Sequence, residues 1–134
     1  MSDTGTGVRG VEVGIVTADG ARLAKFYVDG LRFTIDTELS FPRGTVRRLR
    51  RGPARCKIFE PAETCAPKPH REPWYSHGGI GYGALLVADA EAEVERACAH
   101  GATLVEGVIA HRPGARYAMI TDPDGNVWEL LQED

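Results

Sequence analysis

A chain of 134 residues, 43% hydrophobic and 26% charged, has the size and balance of one soluble globular domain. Its formal net charge of −3 excludes broad affinity for nucleic acid or an anionic membrane, and no run approaches the roughly 20 apolar residues of a membrane span. The polar, Gly-rich start MSDTGTGVRG has no apolar signal-peptide core, so the expected compartment is the cytoplasm.

Residues 1–10 read as a flexible N-terminus, and 11–60 as a first module. Its opening apolar run ends in IVTAD, where Asp19 suits a helix N-cap whose carboxylate accepts orphan backbone N–H groups. Leu23, Phe26 and Tyr27 follow at helical spacing, with Gly30 as the stop. Strand-like runs then cover Arg32–Leu39, Thr45–Arg51 and Ala54–Phe59. Residues 61–79, PAETCAPKPHREPWYSHGG, are rich in Pro and Gly without periodicity and read as a connector.

The second module, 80–134, repeats the first. LLVAD at Leu85–Asp89 echoes IVTAD, Val94, Ala97 and Cys98 mark a second helix, and Gly101 ends it. Thr103–Val108, Tyr117–Thr121 and Val127–Leu131 are its strands. Each half reads strand, helix, strand, strand, strand, which points to an internal duplication. The expected fold class is α+β: two βαβββ modules forming a curved, eight-stranded, open barrel-like sheet with helices outside, one globular domain overall. A module of this size cannot bury its helix and a sheet face alone, so two are expected to pair around a shared cleft.

VEVGIVTADGARLAKFYVDGLRF, an apolar strand, an Asp-capped helix with Phe26-Tyr27 and a Gly-Leu-x-Phe exit, resembles the opening of the vicinal oxygen chelate superfamily. That is the group of glyoxalase I, bleomycin-resistance proteins, extradiol dioxygenases and methylmalonyl-CoA epimerase. TDPDGNVWEL resembles the superfamily's closing hairpin, and the likeness runs from Val11 to Leu131. In metal-using members four strand positions supply ligands to one divalent ion. The resemblance places them at Glu12, Lys57, Tyr82 and Glu129, with Glu12 and Tyr82 each seven residues before a capping Asp. The usual occupants are His, Gln or Glu. A protonated Lys repels a cation and a neutral Tyr is a poor ligand, so the departure at the two middle positions argues against a tight metal site. No cofactor is expected; a weakly held divalent metal on Glu12 and Glu129 stays open.

Strand alternation puts Glu12 with Gly14 and Val16, Lys57 with Phe59, and Glu129 with Val127 and Leu131. With these faces lining the cleft, the four positions form a candidate acid–base set: Glu129 or Glu12 as base, Tyr82 or Lys57 stabilising an enolate or oxyanion. A buried ion-pair network that only holds the half-sheets together is the competing reading. Phe59, Trp74, Arg47, Arg51 and His111 are the candidate ligand contacts. The arginines either bind a ligand carboxylate or phosphate or line a solvated hairpin edge. HRPGARY reads as a flexible lid carrying His111, and Trp74 as a cap over the cleft mouth. GGIGYG resembles a dinucleotide loop, but a strand follows it where a helix is required. The cysteines form no C-x-x-C pair; Cys56 reads as strand core, Cys98 as helix core and Cys65 as a loop thiol.

Three functions follow from the resemblance. The leading one is a metal-independent isomerase, epimerase or lyase acting next to a carbonyl. The others are a non-catalytic, bleomycin-resistance-type binder of a drug or metabolite, and a divalent-metal enzyme with an incomplete ligand set. The implied partners are a small organic ligand with an anionic group and a second copy of the chain; neither nucleic acid nor membrane is expected.

Overall fold

In a computed structural model, residues 5–134 are described. The first half runs β1 (Val13–Val16), α1 (Gly20–Asp29), β2 (Thr34–Phe41), β3 (Gly44–Arg51) and β4 (Ala54–Pro61). The second runs β5 (Gly83–Leu86), α2 (Ala90–Ala99), β6 (Thr103–Arg112), β7 (Ala115–Thr121) and β8 (Val127–Glu133). Of the N-terminus expected over 1–10, residues 1–4 lie outside the described residues, and 5–10 hold no helix or strand.

Both halves form a four-stranded sheet of the same order, β1-β4-β3-β2 and β5-β8-β7-β6, with the first strand parallel to the fourth. The duplication extends to single hydrogen bonds. Gly14 sits beside Lys57 and Ala84 beside Glu129; the Thr17 N–H donates to the Phe59 carbonyl and the Val87 N–H to that of Leu131. Asp19 and Asp89 cap the helices by accepting from the N–H groups of Arg22 and Ala92, each at 3.1 Å. A long side chain from the fourth strand takes one more orphan donor at each helix start, Glu60 from Gly20 and Gln132 from Ala90.

Each sheet has a helix-covered inner face and an open outer face. The inner faces and both helices share one core. Ile15, Leu49, Cys56 and Ile58 come from the first sheet, and Leu85, Ile120, Trp128 and Leu130 from the second, around Leu23, Phe26 and Tyr27 of α1. Tyr27 is fully buried, with the rings of Phe26, Phe33 and Trp128 packed edge-on at 5.2–6.1 Å. Its hydroxyl accepts from the Trp128 indole at 2.8 Å and donates to Asp122 at 2.5 Å. Asp122 also accepts from the backbone of Asp124 and Asn126 and from the Asn126 amide. The D-P-D-G-N turn therefore exists to hold a buried carboxylate in the core, and Gly125, at φ 88°, supplies its left-handed residue. Asp124 in turn accepts from Thr17 and Arg22, tying the turn to the start of α1.

Glu93 makes a second tie between the modules. It is 5% exposed on α2 and accepts from both terminal guanidinium nitrogens of Arg51, at 2.8 and 2.6 Å, and from Arg32 at 2.9 Å. Burial raises the Glu93 pKa, but hydrogen bonds and charge from Arg51 and then Arg32 outweigh it and leave the pKa below 4.5. The buried stripe of α2 is accordingly Ala90, Glu93 and Ala97, one position out of phase with Cys98, which is exposed rather than core. Cys56 is buried as expected. The HRPGARY segment is a hairpin and not an irregular loop: β6 continues to Arg112 and a tight Pro113-Gly114 turn leads straight into β7.

Candidate functional site

On the outer face of the first sheet, Glu12 precedes Gly14 by two residues and so shares the face of Lys57 and Phe59. Glu12 and Lys57 come together, with Nζ to Oε1 at 3.9 Å. A third residue dominates them. Arg48, the cross-strand partner of Lys57, clamps Glu12 through Nη2 at 2.7 Å and Nε at 3.4 Å. That hydrogen bond, reinforced by the charges of Arg48, Lys57 and Arg55, holds the Glu12 pKa below 4.5. Glu12 is thus a locked anion. Next to it opens a hollow of about 830 Å³ lined by Val16, Phe41, Arg43, Val46, Lys57 and Phe59, with Phe41 and Phe59 stacked at 6.2 Å.

The outer face of the second sheet carries Tyr82 and Glu129. Tyr82 meets Trp74 edge-on at 5.3 Å; the Trp74 indole donates to Glu106 at 3.5 Å, and the Tyr117 hydroxyl donates to Glu106 at 3.0 Å. That hydrogen bond, then burial and the charges of Glu106 and Glu129, push the Tyr117 pKa up. The Glu129 side chain itself has no hydrogen bond or ion pair among the described residues, so its carboxylate is free to accept. On the opposite, inner face Gly83 makes room for Trp128: a Cβ there would lie 2.5 Å from its ring.

Of the four positions Glu12 and Lys57 meet, whereas Tyr82 and Glu129 share the outer face of the second sheet with no hydrogen bond, ion pair or ring contact between them among the described residues. No hydrogen bond, ion pair or ring contact among the described residues joins Glu12 or Lys57 to Tyr82 or Glu129, because the two outer faces open away from the shared core. Trp74 sits with the second pair and Phe59 with the first. Arg47 and Arg51 occupy the helix side of β3, in register with Ile58 and Ala54, and are engaged by Glu60 and Glu38 and by Glu93. The arginines of that strand that face outward are Arg48 and Arg50. His111 packs edge-on against Tyr117 at 5.4 Å, beside the second pair. Sequence reasoning missed Arg48, Glu106, Tyr117 and Phe41. Alternation divides Arg47 from Arg48, but only the β3–β4 register says which of them stands next to Lys57.

The sequence profile of the glyoxalase/bleomycin resistance protein/dioxygenase superfamily matches residues 11–130. The chain belongs to this superfamily. No curated protein matches it. Among solved structures, SMU.1112c is 29% identical, with 90% of this chain and 95% of that one covered at a TM-score of 0.73. A glyoxalase family protein from Bacillus cereus is 16% identical over 98% and 99% of the two chains, at 0.80. Glyoxalase I from Zea mays is 18% identical at 0.78, with 93% of this chain but 44% of that one covered, so the present chain spans less than half its length. The latter two likenesses establish the fold alone.

Superfamily membership raises a metal centre as a possibility that the side chains can test. Among the described residues no three His, Cys, Asp or Glu groups gather in a way that would hold an ion. Of the two carboxylates at ligand positions, Glu12 is already neutralised by a guanidinium at 2.7 Å with an ammonium at 3.9 Å. A divalent cation at Glu12 would have to displace Arg48 and sit against Lys57, so this donor set does not fit one. No helix among the described residues of this superfamily member is long and apolar enough to cross a membrane.

Proposed function

We propose that this superfamily member is a cytoplasmic homodimer that binds a small organic molecule between the first module of one copy and the second module of the other, and catalyses metal-independent proton transfer next to a carbonyl. The observation that carries this reading is the complementarity of the two outer faces. The first is basic, with Arg48, Arg50, Arg55 and Lys57 around Glu12; the second carries Glu106 and Glu129. Both have uncovered apolar groups beside the charges, Val16 at 60% and Leu86 at 72% exposure. Facing each other across a two-fold axis, such surfaces bury the apolar groups and bring Lys57 and Glu129 into one cleft. Three free cysteines, one of them buried, suit a reducing compartment.

Within that cleft the roles divide by what each group already does. Glu12 is committed to Arg48, so it serves to fix Arg48 and Lys57 rather than to take a proton. Glu129 has open lone pairs and acts as the base on a carbon next to a carbonyl. Lys57 and the Tyr82 hydroxyl donate to the developing enolate oxygen. An isomerase, epimerase or lyase has this requirement.

Sedimentation equilibrium tests the assembly; a species of 14.5 kDa at micromolar concentration would rule out the shared cleft. A thermal-shift screen against metabolites, acyl-CoAs and antibiotics supplies the ligand. With that ligand, Glu129→Gln is expected to keep affinity and lose turnover. The apolar, aromatic-walled hollow of the first module favours a second reading, a non-catalytic binder. A binder tolerates Glu129→Gln and loses affinity when Trp74 is truncated.

A further inference from the structure

The chemistry of the first module's hollow specifies its ligand further, given the reading that the outer sheet face is the ligand-binding surface. About 830 Å³ lies within the range of roughly 300–1,000 Å³ that holds a small organic molecule. Its walls are apolar: Val16, Val46 and the stacked pair Phe41 and Phe59, inclined by only 24°. A flat aromatic wall of this kind favours a planar ring as guest.

The charges at the rim do not balance. Three charged side chains line the hollow, Arg43, Lys57 and Glu63, and they carry one net positive charge. Glu12, just outside, is matched by Arg48, and adding that pair leaves the total unchanged. The donor capacity of Lys57 is also unspent. Its ammonium lies 3.9 Å from Glu12, beyond hydrogen-bond reach, and makes no hydrogen bond among the described residues; the Arg43 side chain has no hydrogen bond or ion pair there either. Arg48 takes the Glu12 carboxylate so fully that Lys57 is left as a cation with three open donors, next to an aromatic wall.

We infer that this hollow selects a planar aromatic anion, an arene carboxylate or phenolate, with its ring against Phe41 and Phe59 and its charge on Lys57, the charges of Arg43 and Glu63 offsetting each other at the rim. The selectivity resides in Lys57, because the aromatic wall alone accepts a neutral ring equally well.

Titration calorimetry with 2-naphthoate and its neutral isostere 2-naphthamide separates the two contributions. In the wild-type protein 2-naphthoate is expected to bind at least about tenfold more tightly, the lower end for a charge-assisted contact. Lys57→Met should abolish that preference and leave 2-naphthamide binding unchanged, while Lys57→Arg should retain it. The half-exposed Lys57 side chain makes misfolding an unneeded explanation, and unchanged amide binding checks it directly. Equal binding of the two probes to wild type, or a preference surviving in Lys57→Met, would overturn the inference while leaving the ligand site in place. Failure of both probes, when other compounds shift the melting temperature, would also overturn it without touching the catalytic reading. That reading is tested separately by the loss of turnover expected of Glu129→Gln.

Discussion

Replacing Glu93 by Gln tests the buried ion pair that ties α2 to the first module. The side chain is 5% exposed and receives hydrogen bonds from Arg51 at 2.6 and 2.8 Å and from Arg32 at 2.9 Å. Breaking a fully buried pair costs about 3–5 kcal/mol. That figure must be discounted here, because the Arg32 side chain is 55% exposed and rehydrates, and Arg51 keeps its bond to the Leu31 carbonyl. The glutamine also keeps one acceptor. A loss of about 2 kcal/mol remains, which for a domain of this size lowers Tm by on the order of 8 °C. Urea denaturation at neutral and acid pH is the assay. The folded Glu93 pKa lies below 4.5, so its stabilisation is fully present above that unfolded value and is lost as pH falls through the folded one. The wild-type and Glu93→Gln curves should therefore separate at pH 7 and converge in acid. A gap under about 0.5 kcal/mol at pH 7, the range of ordinary surface substitutions, would refute the reasoning, as would a gap that acid leaves unchanged.

Tyr27→Phe removes the hydroxyl between the Trp128 indole and Asp122, leaving two buried polar groups short of a partner, and should cost about 2 kcal/mol by denaturant titration. Gly83→Ala sets a methyl 2.5 Å from the Trp128 ring and should lower stability by about 1–3 kcal/mol with a shift in indole fluorescence. Burial pushes the Cys56 thiol up to about 12, so at pH 8 in native protein a thiol reagent should titrate Cys65 and Cys98 and spare Cys56 until the chain unfolds. Arg48→Met takes away the main hydrogen bond on Glu12, and the Glu12 carboxyl should titrate at higher pH than in wild type, as read by carbon NMR of labelled glutamate.

Much of the architecture is local and so was readable along the chain. The Asp19 and Asp89 caps, the helical spacing of Leu23, Phe26 and Tyr27, and the succession of elements along each half depend on neighbours within a few residues. The superfamily motifs placed Glu12, Lys57, Tyr82 and Glu129 at equivalent points of the two halves, and the registers Gly14 with Lys57 and Ala84 with Glu129 repeat that equivalence in three dimensions. Cys98 was misread because a helical stripe shifted by one residue rotates by about 100°. An acid, Glu93, occupies the buried position, which a search for apolar periodicity passes over. The HRPGARY segment was misread because its Gly and Pro suit a loop as well as the two-residue turn that it forms.

The sequence by itself determined the duplicated module, its helix caps and the identities of the four strand positions, since periodicity and capping are settled by neighbours along the backbone. Only the tertiary structure decided which face of each sheet the helices cover and therefore which way those positions look. It also decided that Arg48, rather than Arg47, reaches Glu12. The physical reason is the same in each case: a strand alternates sides at every residue, and the choice between them depends on register and on burial of the Tyr27 core, which arise only when distant segments meet.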